Sequence, residues 1–283
     1  MPVYDINGTE LNAVYDKDGN MLLQAYDIEG NPLIDEGAFT ELTVMTYNVE
    51  NFSGRNSNQE MQERIMNTYN PSIIGLQELG NGSMPALGVR LFANYPYQVM
   101  GGQEVYKTSV VSKIELQDTE YIAYESMTTR ERGYDKAYIT VGGNRIAFFN
   151  THLEILGQAS HELQAKELFD ALQEETSFIA VGDFNVECHS TSDPEYNSVV
   201  KQFIDAGYNL SNWTPNTGFV DTWFNNTTVA NSDYKCPCDN IITSPDIIID
   251  SIIYDPIKLE YTEGAIDHIA VVAHLKIRVI TAN

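Results

Sequence analysis

Five short groups of polar residues stand in this chain where apolar segments end or begin. Apolar segments of about four to eight residues are typical of buried β-strands. Because the ends of neighbouring strands share one edge of a sheet, we expect the polar groups to converge on a single site. The groups are Asn48, Gln77 with Glu78, residues 150–152, residues 182–185, and Asp267 with His268.

Three of these residues suit the binding of a cation beside a phosphate ester. A phosphodiester resists attack because negative charge surrounds it, and a hard cation held by oxygen ligands neutralises that charge. Glu78 is the natural carboxylate ligand for such a cation. Asn48 and Asn185 can hold a phosphate oxygen or a metal-bound water without adding negative charge. The set therefore indicates metal-assisted hydrolysis.

The attack of water on phosphorus also needs a base. A histidine that is oriented by a carboxylate is the usual device. His268 has two candidate partners, Asp239 and Asp267, and the residues alone leave both open.

The elements that must position these residues alternate irregularly between strands and helices. Ala165, Leu168 and Leu172 mark one face of an amphipathic helix, for example. This order, with hairpins between strands, favours an α+β fold in which two packed mixed β-sheets are flanked by helices, a four-layer sandwich. We predict strands at residues 42–48, 72–77, 108–112, 137–141, 145–150, 178–181, 240–243 and 269–277, and helices at residues 58–70, 160–175 and 193–207.

The N-terminal part of the chain carries a repeat with a period of eleven residues. Tyr4-Asp5-Ile6-Asn7-Gly8 is followed by similar segments at residues 15–19 and 26–30. Asn-Gly and Asp-Gly are tight-turn signals between extended segments, so each repeat is expected to be a short β-hairpin-like unit. We therefore divide the chain into an accessory segment, residues 1–40, and a catalytic domain, residues 41–283. The accessory segment either binds an unknown partner or is a decorated linker.

The charge balance excludes one class of function. Sixteen basic and forty acidic residues give a net charge of −24, and such a surface repels polyanions. Tight non-specific binding of nucleic acid, as in a DNA-packaging protein, is therefore not expected. An enzyme that acts on phosphate esters remains compatible with the acidity, because bound cations and a few Arg and Lys side chains can reverse the potential inside a cleft.

Neither a membrane span nor a secretory leader is visible in the sequence. No segment approaches the roughly 18 consecutive apolar residues that a span needs. The N-terminus has neither a basic segment nor an apolar run. We expect a monomer that stays in the cytoplasm, or that is secreted if a leader has been removed.

Taken together, the polar groups are similar in order and spacing to the motifs of the endonuclease/exonuclease/phosphatase superfamily. The segments are Thr46-Tyr47-Asn48-Val49-Glu50, Leu76-Gln77-Glu78, Asn150-Thr151-His152-Leu153, Gly182-Asp183-Phe184-Asn185 and Asp267-His268. The resemblance covers roughly residues 42–277. It implies the DNase I-like form of the four-layer α/β/β/α sandwich, hydrolysis of a phosphoester, and Mg²⁺ or Mn²⁺ as the cofactor.

The resemblance also implies a role for each residue at the metal and the phosphate. Glu78 is expected to be the principal metal ligand, with Asn48 assisting and Asp267 as a second ligand. Asp183 and Asn185 are expected to position the attacking water and the phosphate.

For the histidines, the resemblance implies that His268 is paired with Asp239 and that His152 faces it across the scissile phosphate. Which histidine acts as base and which as acid differs between branches of the superfamily, so both are treated as catalytic.

Two cysteine spacings are similar to those of the secreted DNase I branch. Cys188 lies five residues after Asp183, and Cys236 lies three residues before Asp239. The resemblance therefore implies a Cys188–Cys236 disulfide, with Cys238 as the spare thiol. A cytosolic location would instead leave all three cysteines reduced.

Two substrate contacts follow from the same branch. Thr129-Arg130-Glu131 is similar to its phosphate-contacting Ser-Arg-Glu, and Tyr106-Lys107 is similar to its DNA-contacting Tyr-Lys. Arg130 and Tyr106 are therefore expected at the substrate phosphate, together with Asn185. Alternatively, Arg130 belongs to a solvated basic face.

One departure leaves the branch open. The DNase I branch has an acidic residue two positions after the tyrosine, which orients the first catalytic histidine, whereas this chain has Thr108 there and Glu104 nearby. The favoured function is a DNase I-like endonuclease that cuts DNA with little sequence preference. The alternatives are a phosphatase or phospholipase acting on an inositol phosphate or a sphingomyelin-type ester, and a catalytically idle binding module.

Overall fold

A computed structural model describes ten segments of the chain, and the following statements refer to them. They are residues 3–4, 10–11, 38–50, 56–79, 92–102, 107–126, 131–155, 157–224, 235–255 and 267–280. The chain divides into two compact units, Met1–Phe39 and Thr40–Asn283.

Among its described residues, the first unit contains one short antiparallel ladder. Strands β1 (Val3–Tyr4) and β2 (Glu10–Leu11) pair with Val3 opposite Leu11. In the sequence, the two strands lie on either side of the Asn-Gly of the first repeat. The second and third repeats lie outside the described residues.

The second unit is built on two six-stranded sheets. Its first strands in chain order are β3 (Phe39–Asn48), β4 (Ile73–Gln77), β5 (Tyr97–Gly101), β6 (Thr108–Ser112), β7 (Gln117–Ala123), β8 (Gly133–Val141) and β9 (Asn144–His152). The later strands are β10 (Phe178–Asp183), β11 (Asn209–Leu210), β12 (Trp223–Phe224), β13 (Lys235–Cys236), β14 (Asp239–Thr243), β15 (Ile247–Tyr254) and β16 (Val271–Arg278).

Both sheets contain parallel and antiparallel pairs. The first sheet has the order β15-β16-β3-β4-β6-β5, in which β3 and β4 are parallel. The second sheet has the order β11-β14-β10-β9-β8-β7, in which β9 and β10 are parallel. The short strands β12 and β13 pair with each other. The predicted pair of mixed sheets is therefore confirmed.

Helices cover the outer face of each sheet. Helix α1 (Asn56–Tyr69) packs through Met61 and Ile65 on the first sheet. Helix α2 (Gln158–Gln173) packs through Leu168 and Leu172 on the second sheet, beside helix α3 (Lys201–Asp205), which follows a π-helical turn at Tyr196–Val200. A separate apolar cluster from both sheets fills the space between them. These layers form the α/β/β/α sandwich, and none of the described helices has the length and apolarity of a membrane span.

Alternation along the strands puts polar residues between the sheets near one end. In β9, Ile146 and Phe148 belong to the inter-sheet cluster. Successive side chains of a strand alternate between faces, so Asn150 and His152 share this inner side. The same alternation places Asp183 beyond Val181 in β10. The inner faces are therefore apolar in the middle of the sandwich and polar at the end of β9 and β10.

The cysteines pair differently from the expectation. The disulfide joins Cys236 to Cys238, whose Cα atoms are 5.4 Å apart, and Cys188 is a free thiol. Cys188 is buried in the apolar cluster under α2, where burial raises the pKa of its thiol to about 11. The expected Cys188–Cys236 bridge is wrong in this structure, because the turn at Pro237 brings Cys236 against its near neighbour instead.

Candidate active site

The ends of two parallel strand pairs meet at the polar end of the sandwich. β3 ends at Asn48, and β4, its parallel neighbour, ends one residue before Glu78. His152 and Asp183 are opposite each other at the ends of β9 and β10. Antiparallel β14 begins at Asp239, which is opposite Asp183. Both sheets therefore contribute residues to one location.

Asp183 lies at the centre of this group and is 1% exposed. Its Oδ2 accepts a hydrogen bond from Asn48 Nδ2 at 3.0 Å and lies 3.4 Å from His152 Nε2 and 3.5 Å from His268 Nε2. Its Oδ1 accepts a hydrogen bond from the backbone N–H of Asn185 at 3.0 Å. One carboxylate thus contacts four of the residues that the sequence analysis selected.

His268 lies between two carboxylates. Its Nδ1 is 2.9 Å from Asp239 Oδ2, and its Nε2 faces Asp183. Burial alone lowers the pKa of His268, but the charges of Asp239 and Asp183 outweigh burial and raise the pKa to about 10. Burial raises the pKa of Asp183 to about 7, against the opposing charge of His268. Of the two partners that the residues left open for His268, the hydrogen bond is made with Asp239.

Two site residues adopt left-handed backbone conformations. Glu78 has φ of 56° and Asn185 has φ of 52°. Such conformations are uncommon for residues other than glycine, and they concentrate at functional sites. Glu78 extends from this turn so that its Oε1 lies 3.9 Å from His152 Nε2. The turns after β4 and β10 therefore aim side chains that a regular strand would direct elsewhere.

A cleft opens over these residues. Its carboxylates come from Glu78, Asp183, Glu187 and Asp267, and Asp267 Oδ2 accepts a hydrogen bond from Trp223 Nε1 at 2.7 Å. The other described lining residues are Arg132, His152, Ile155, Asn185, Trp223, Cys236, Cys238 and His268.

The donor set of the cleft fits a hard divalent cation. Carboxylate and amide oxygens are the ligands that such ions prefer. Four carboxylates line the cleft, whereas Arg132 is the one Lys or Arg among the described lining residues. Excess negative charge at close quarters is costly unless a cation neutralises it.

A second arrangement could also hold an ion. Ligand atoms of Asp183, Asp239 and His268 all lie within 4.8 Å of one another. Both ring nitrogens of His268, however, already face carboxylates. The Glu78 side chain is 25% exposed, whereas the side chains of this second group are at most 6% exposed, so the Glu78 side of the cleft is the more open.

Several lining residues were not selected from the sequence, among them Arg132 and Trp223. Arg132 is 3% exposed, although it stands in a charged run that looks like a solvated face. Trp223 was missed because no motif surrounds it. The signal for Arg132 is its position directly before β8, where a strand begins at the same end of the sheet. The predicted phosphate contacts Arg130 and Tyr106 lie outside the described residues.

Comparisons with known proteins agree with this architecture. The Endonuclease/Exonuclease/phosphatase family matches residues 45–260. No curated protein sequence matches the chain. The structure of D. rerio TDP2 in complex with a single-strand DNA product is 20% identical, with a TM-score of 0.67, and the match covers 83% of this chain and 99% of that one.

Two further solved structures show the same fold. A Bacteroides vulgatus endonuclease/exonuclease/phosphatase is 16% identical, with a TM-score of 0.66 and coverage of 84% and 99% of the two chains. TDP2 from C. elegans is 18% identical, with a TM-score of 0.63 and coverage of 85% and 77%. With a family match that spans more than half of its length, this chain belongs to the endonuclease/exonuclease/phosphatase family.

Proposed function

We propose that this protein is a phosphodiesterase that uses Mg²⁺ or Mn²⁺ to hydrolyse DNA by in-line attack of water. The observation that carries the proposal is the contact of Asp183 with Asn48, His152 and His268 beside the carboxylate-lined cleft. A binding module would have no need to bury these ionisable groups together, because burial of charge is costly.

The metal is assigned to one side of the cleft. Glu78 would be its principal ligand, with Asp267 as the second and Asn48 assisting. When bound, the ion supplies positive charge to the phosphate oxygens in the transition state. Asn48 Oδ1 accepts a hydrogen bond from the Glu50 N–H at 3.1 Å, which orients the amide toward Asp183. The indole Nε1 of Trp223 orients Asp267 by donating a hydrogen bond to its Oδ2.

The chain's own groups handle the water and the protons. Asp183 and Asn185 would position the attacking water and the phosphate, with the Asn185 amide anchored on the Leu153 carbonyl at 2.8 Å. His268, paired with Asp239, would transfer a proton on one side of the phosphate. His152 would be its counterpart on the other side.

DNA is the proposed substrate for two reasons. The D. rerio TDP2 structure, which has the same fold, holds a single-strand DNA product. Arg132 also places a buried guanidinium in the cleft, where it can contact a phosphate oxygen. Arg130 and Tyr106 remain proposed as further phosphate contacts.

One observation favours a different ester of the same class. The cleft is also lined by Glu187 and by Ile155, which is 51% exposed. A carboxylate repels a continuing polyanionic strand, and an exposed apolar side chain suits an apolar substituent. The second candidate is therefore a phosphatase or phospholipase acting on a small or lipid-linked phosphoester.

The test is nicking of supercoiled plasmid with Mg²⁺ or with EDTA. The variants are His268→Ala and, as a matched control, His274→Ala, whose side chain contacts Thr43 on the first sheet. We expect metal-dependent nicking that His268→Ala abolishes and His274→Ala retains. Absence of nicking by the folded protein would contradict the DNA assignment, and a panel of inositol phosphates and phospholipids would then test the second candidate. No hydrolysis there would leave the idle binding module.

A further inference from the structure

A buried polar contact joins the two sheets directly beneath the site. Gln77 at the end of β4 donates from Nε2 to Asn150 Oδ1 in β9 at 2.7 Å. The same Nε2 group lies 3.2 Å from Thr46 Oγ1 in β3, to which it also donates. Gln77, Asn150 and Thr46 are all fully buried. This contact, which we name the cross-sheet link, therefore connects the first sheet to the second through side chains.

Asn150 extends the cross-sheet link to the backbone of the first sheet. Its Nδ2 donates to the carbonyls of Leu76 at 3.0 Å and Ser109 at 3.1 Å, which belong to the neighbouring strands β4 and β6. The carboxylate of Asp135 in β8 is a third acceptor at 3.1 Å. One side chain of the second sheet thus touches two strands of the first sheet and one of its own.

At this point the two sheets leave no room for a Cβ atom on Gly75. A Cβ atom added to Gly75 would lie 2.2 Å from Val181 Cγ2 and 2.6 Å from Asn150 Oδ1. Contacts below 3.0 Å require the surrounding atoms to shift, so the spacing depends on glycine in β4. The geometry of the cross-sheet link therefore depends on Gly75 in the first sheet as well as on Asn150 in the second sheet.

On each sheet, the cross-sheet link lies within two residues of a site residue along the strand. Gln77 directly precedes Glu78, and Asn150 lies two residues before His152 on the same face of β9. Polar side chains in an interior stabilise less than an apolar pair of the same shape, but they define one arrangement more sharply. An apolar cluster from both sheets packs beside it. The cross-sheet link differs from that cluster in being polar, fully buried and directly next to the site.

We propose that Gln77 and Asn150 are positioning residues, which fix the separation between Glu78 on the first sheet and His152 with Asp183 on the second. The inference rests on the proposed function, because it assigns those residues to the metal and to the attacking water. Groups that support a metal site from behind typically change metal affinity or activity by about 10- to 100-fold when they are removed.

The decisive variant is Gln77→Met/Asn150→Leu. Replacing both partners of the Gln77–Asn150 bond with apolar groups of similar shape leaves neither amide unpaired. It also removes the Asn150 donor to Asp135 and to the carbonyls of Leu76 and Ser109, so both readouts are taken once the melting curve shows that the variant is folded. Gln77→Met alone is the second variant, in case the double variant does not fold. Ile277→Ala is the matched control, because Ile277 is buried in the same inter-sheet cluster and lies opposite Ile247, at the far end of β16 from His268.

Two readouts are needed: the Mn²⁺ dissociation constant from calorimetry and the division of the kinetic effect between kcat and KM. We expect the double variant to bind Mn²⁺ about 10-fold more weakly, with kcat lowered about 10- to 100-fold and KM little changed. Ile277→Ala is expected to lower the melting temperature and leave both readouts as in the wild type.

The inference is overturned if the folded double variant, or Gln77→Met alone, binds Mn²⁺ and turns over substrate like the wild type. That result would leave the proposed function intact. A wild type that binds no Mn²⁺ would overturn the proposed function and the inference together, and the wild-type titration is therefore performed first.

Discussion

The protonated imidazole of His268 lies between the carboxylates of Asp239 and Asp183. All three side chains are buried, so little water is present to screen their charges. The arrangement holds the imidazole in one orientation, with Nδ1 toward Asp239 and Nε2 toward the cleft. It also explains why the pKa of His268 is raised although the ring is buried. The chemistry of the site therefore depends on Asp239, which does not line the cleft.

Asp239→Asn tests this dependence. Removing one negative charge is expected to lower the pKa of His268 from about 10, because the charge of Asp239 is the main effect that raises it. Activity is expected to fall by about 100-fold or more, as a misoriented general acid or base loses most of its effect. NMR titration of the imidazole measures the pKa, with His268→Ala to assign the signal. An unchanged pKa would contradict the pairing.

Asp135 provides a separate test that concerns stability. Burial raises the pKa of Asp135 to about 7, against the hydrogen bonds from Thr108 and Asn150. The folded protein therefore binds this proton more tightly than the unfolded chain, so the contribution to stability is full at acidic pH and is lost as the pH rises through about 7.

Asp135→Asn should remove that pH dependence, because asparagine stays neutral. Relative to the wild type, the variant should gain as much as about 4 kcal/mol of unfolding free energy between pH 4 and pH 8. Urea unfolding at a series of pH values measures the difference. The control is Val44→Ala, at a buried apolar residue of the inter-sheet cluster, which removes no titratable group and should lower the unfolding free energy by a similar amount at every pH.

Single residues also show where prediction from sequence stops. Glu78 and Asn185 could be selected from their positions at strand ends, but their left-handed backbones could not be foreseen. Arg132 stands in a charged run, which is more typical of a solvated face, but the structure buries it in the cleft. Its burial depends on long-range packing around the site, which no local pattern encodes.

At the scale of elements, short continuous apolar runs carried most of the strand prediction. Every predicted strand is present, and β9 and β10 extend further toward the site than predicted, through His152 and Asp183. The strands that were not predicted include β5 and β7, which lie at sheet edges and alternate poorly because much of their surface is exposed. The helix predicted at residues 193–207 is shorter and starts with a π-helical turn.

The disulfide is a feature of the turn between β13 and β14. The carbonyl of Cys236 accepts a hydrogen bond from the Thr222 N–H at 2.8 Å, and that of Cys238 accepts one from the Phe184 N–H at 2.8 Å. These bonds connect the turn to β12 and to the residue after Asp183. The turn is therefore held at the site by its backbone as well as by its sulfurs.

Thiol counting distinguishes the Cys236–Cys238 pairing from the pairing that the resemblance implied. The Cys188→Ala variant is denatured in guanidinium without a reducing agent, and it should then contain no free thiol. If the wild type had a Cys188–Cys236 bridge, this variant would contain two free thiols, Cys236 and Cys238. Cys236→Ser/Cys238→Ser should lower the unfolding free energy by about 1–2 kcal/mol, since the closed loop is very short. Mass spectrometry after alkylation gives the count, and chemical denaturation gives the stability.

At the scale of the whole molecule, the two compact units suggest separable roles. The unit Thr40–Asn283 contains both sheets from residue 40 onward, the described helices and the described site. A protein consisting of residues 40–283 is therefore expected to melt within a few degrees of the full chain and to retain its hydrolytic activity. Differential scanning calorimetry and the plasmid assay check this. Loss of folding would instead make the first unit a part of the core.

The net charge of −24 affects how a polyanionic substrate approaches the protein. A basic nuclease binds DNA less tightly as salt increases, since counterions are released on binding. Here repulsion between protein and DNA opposes encounter. Salt that shortens the Debye length from about 30 Å at 0.01 M to about 8 Å at 0.15 M should weaken that repulsion.

KM for plasmid DNA is therefore expected to fall over this range at fixed Mg²⁺, while KM for a small monoanionic phosphodiester changes little. Kinetics on both substrates measure this, and a rise of KM for DNA with salt would mean that local cations such as Arg132 outweigh the acidic surface.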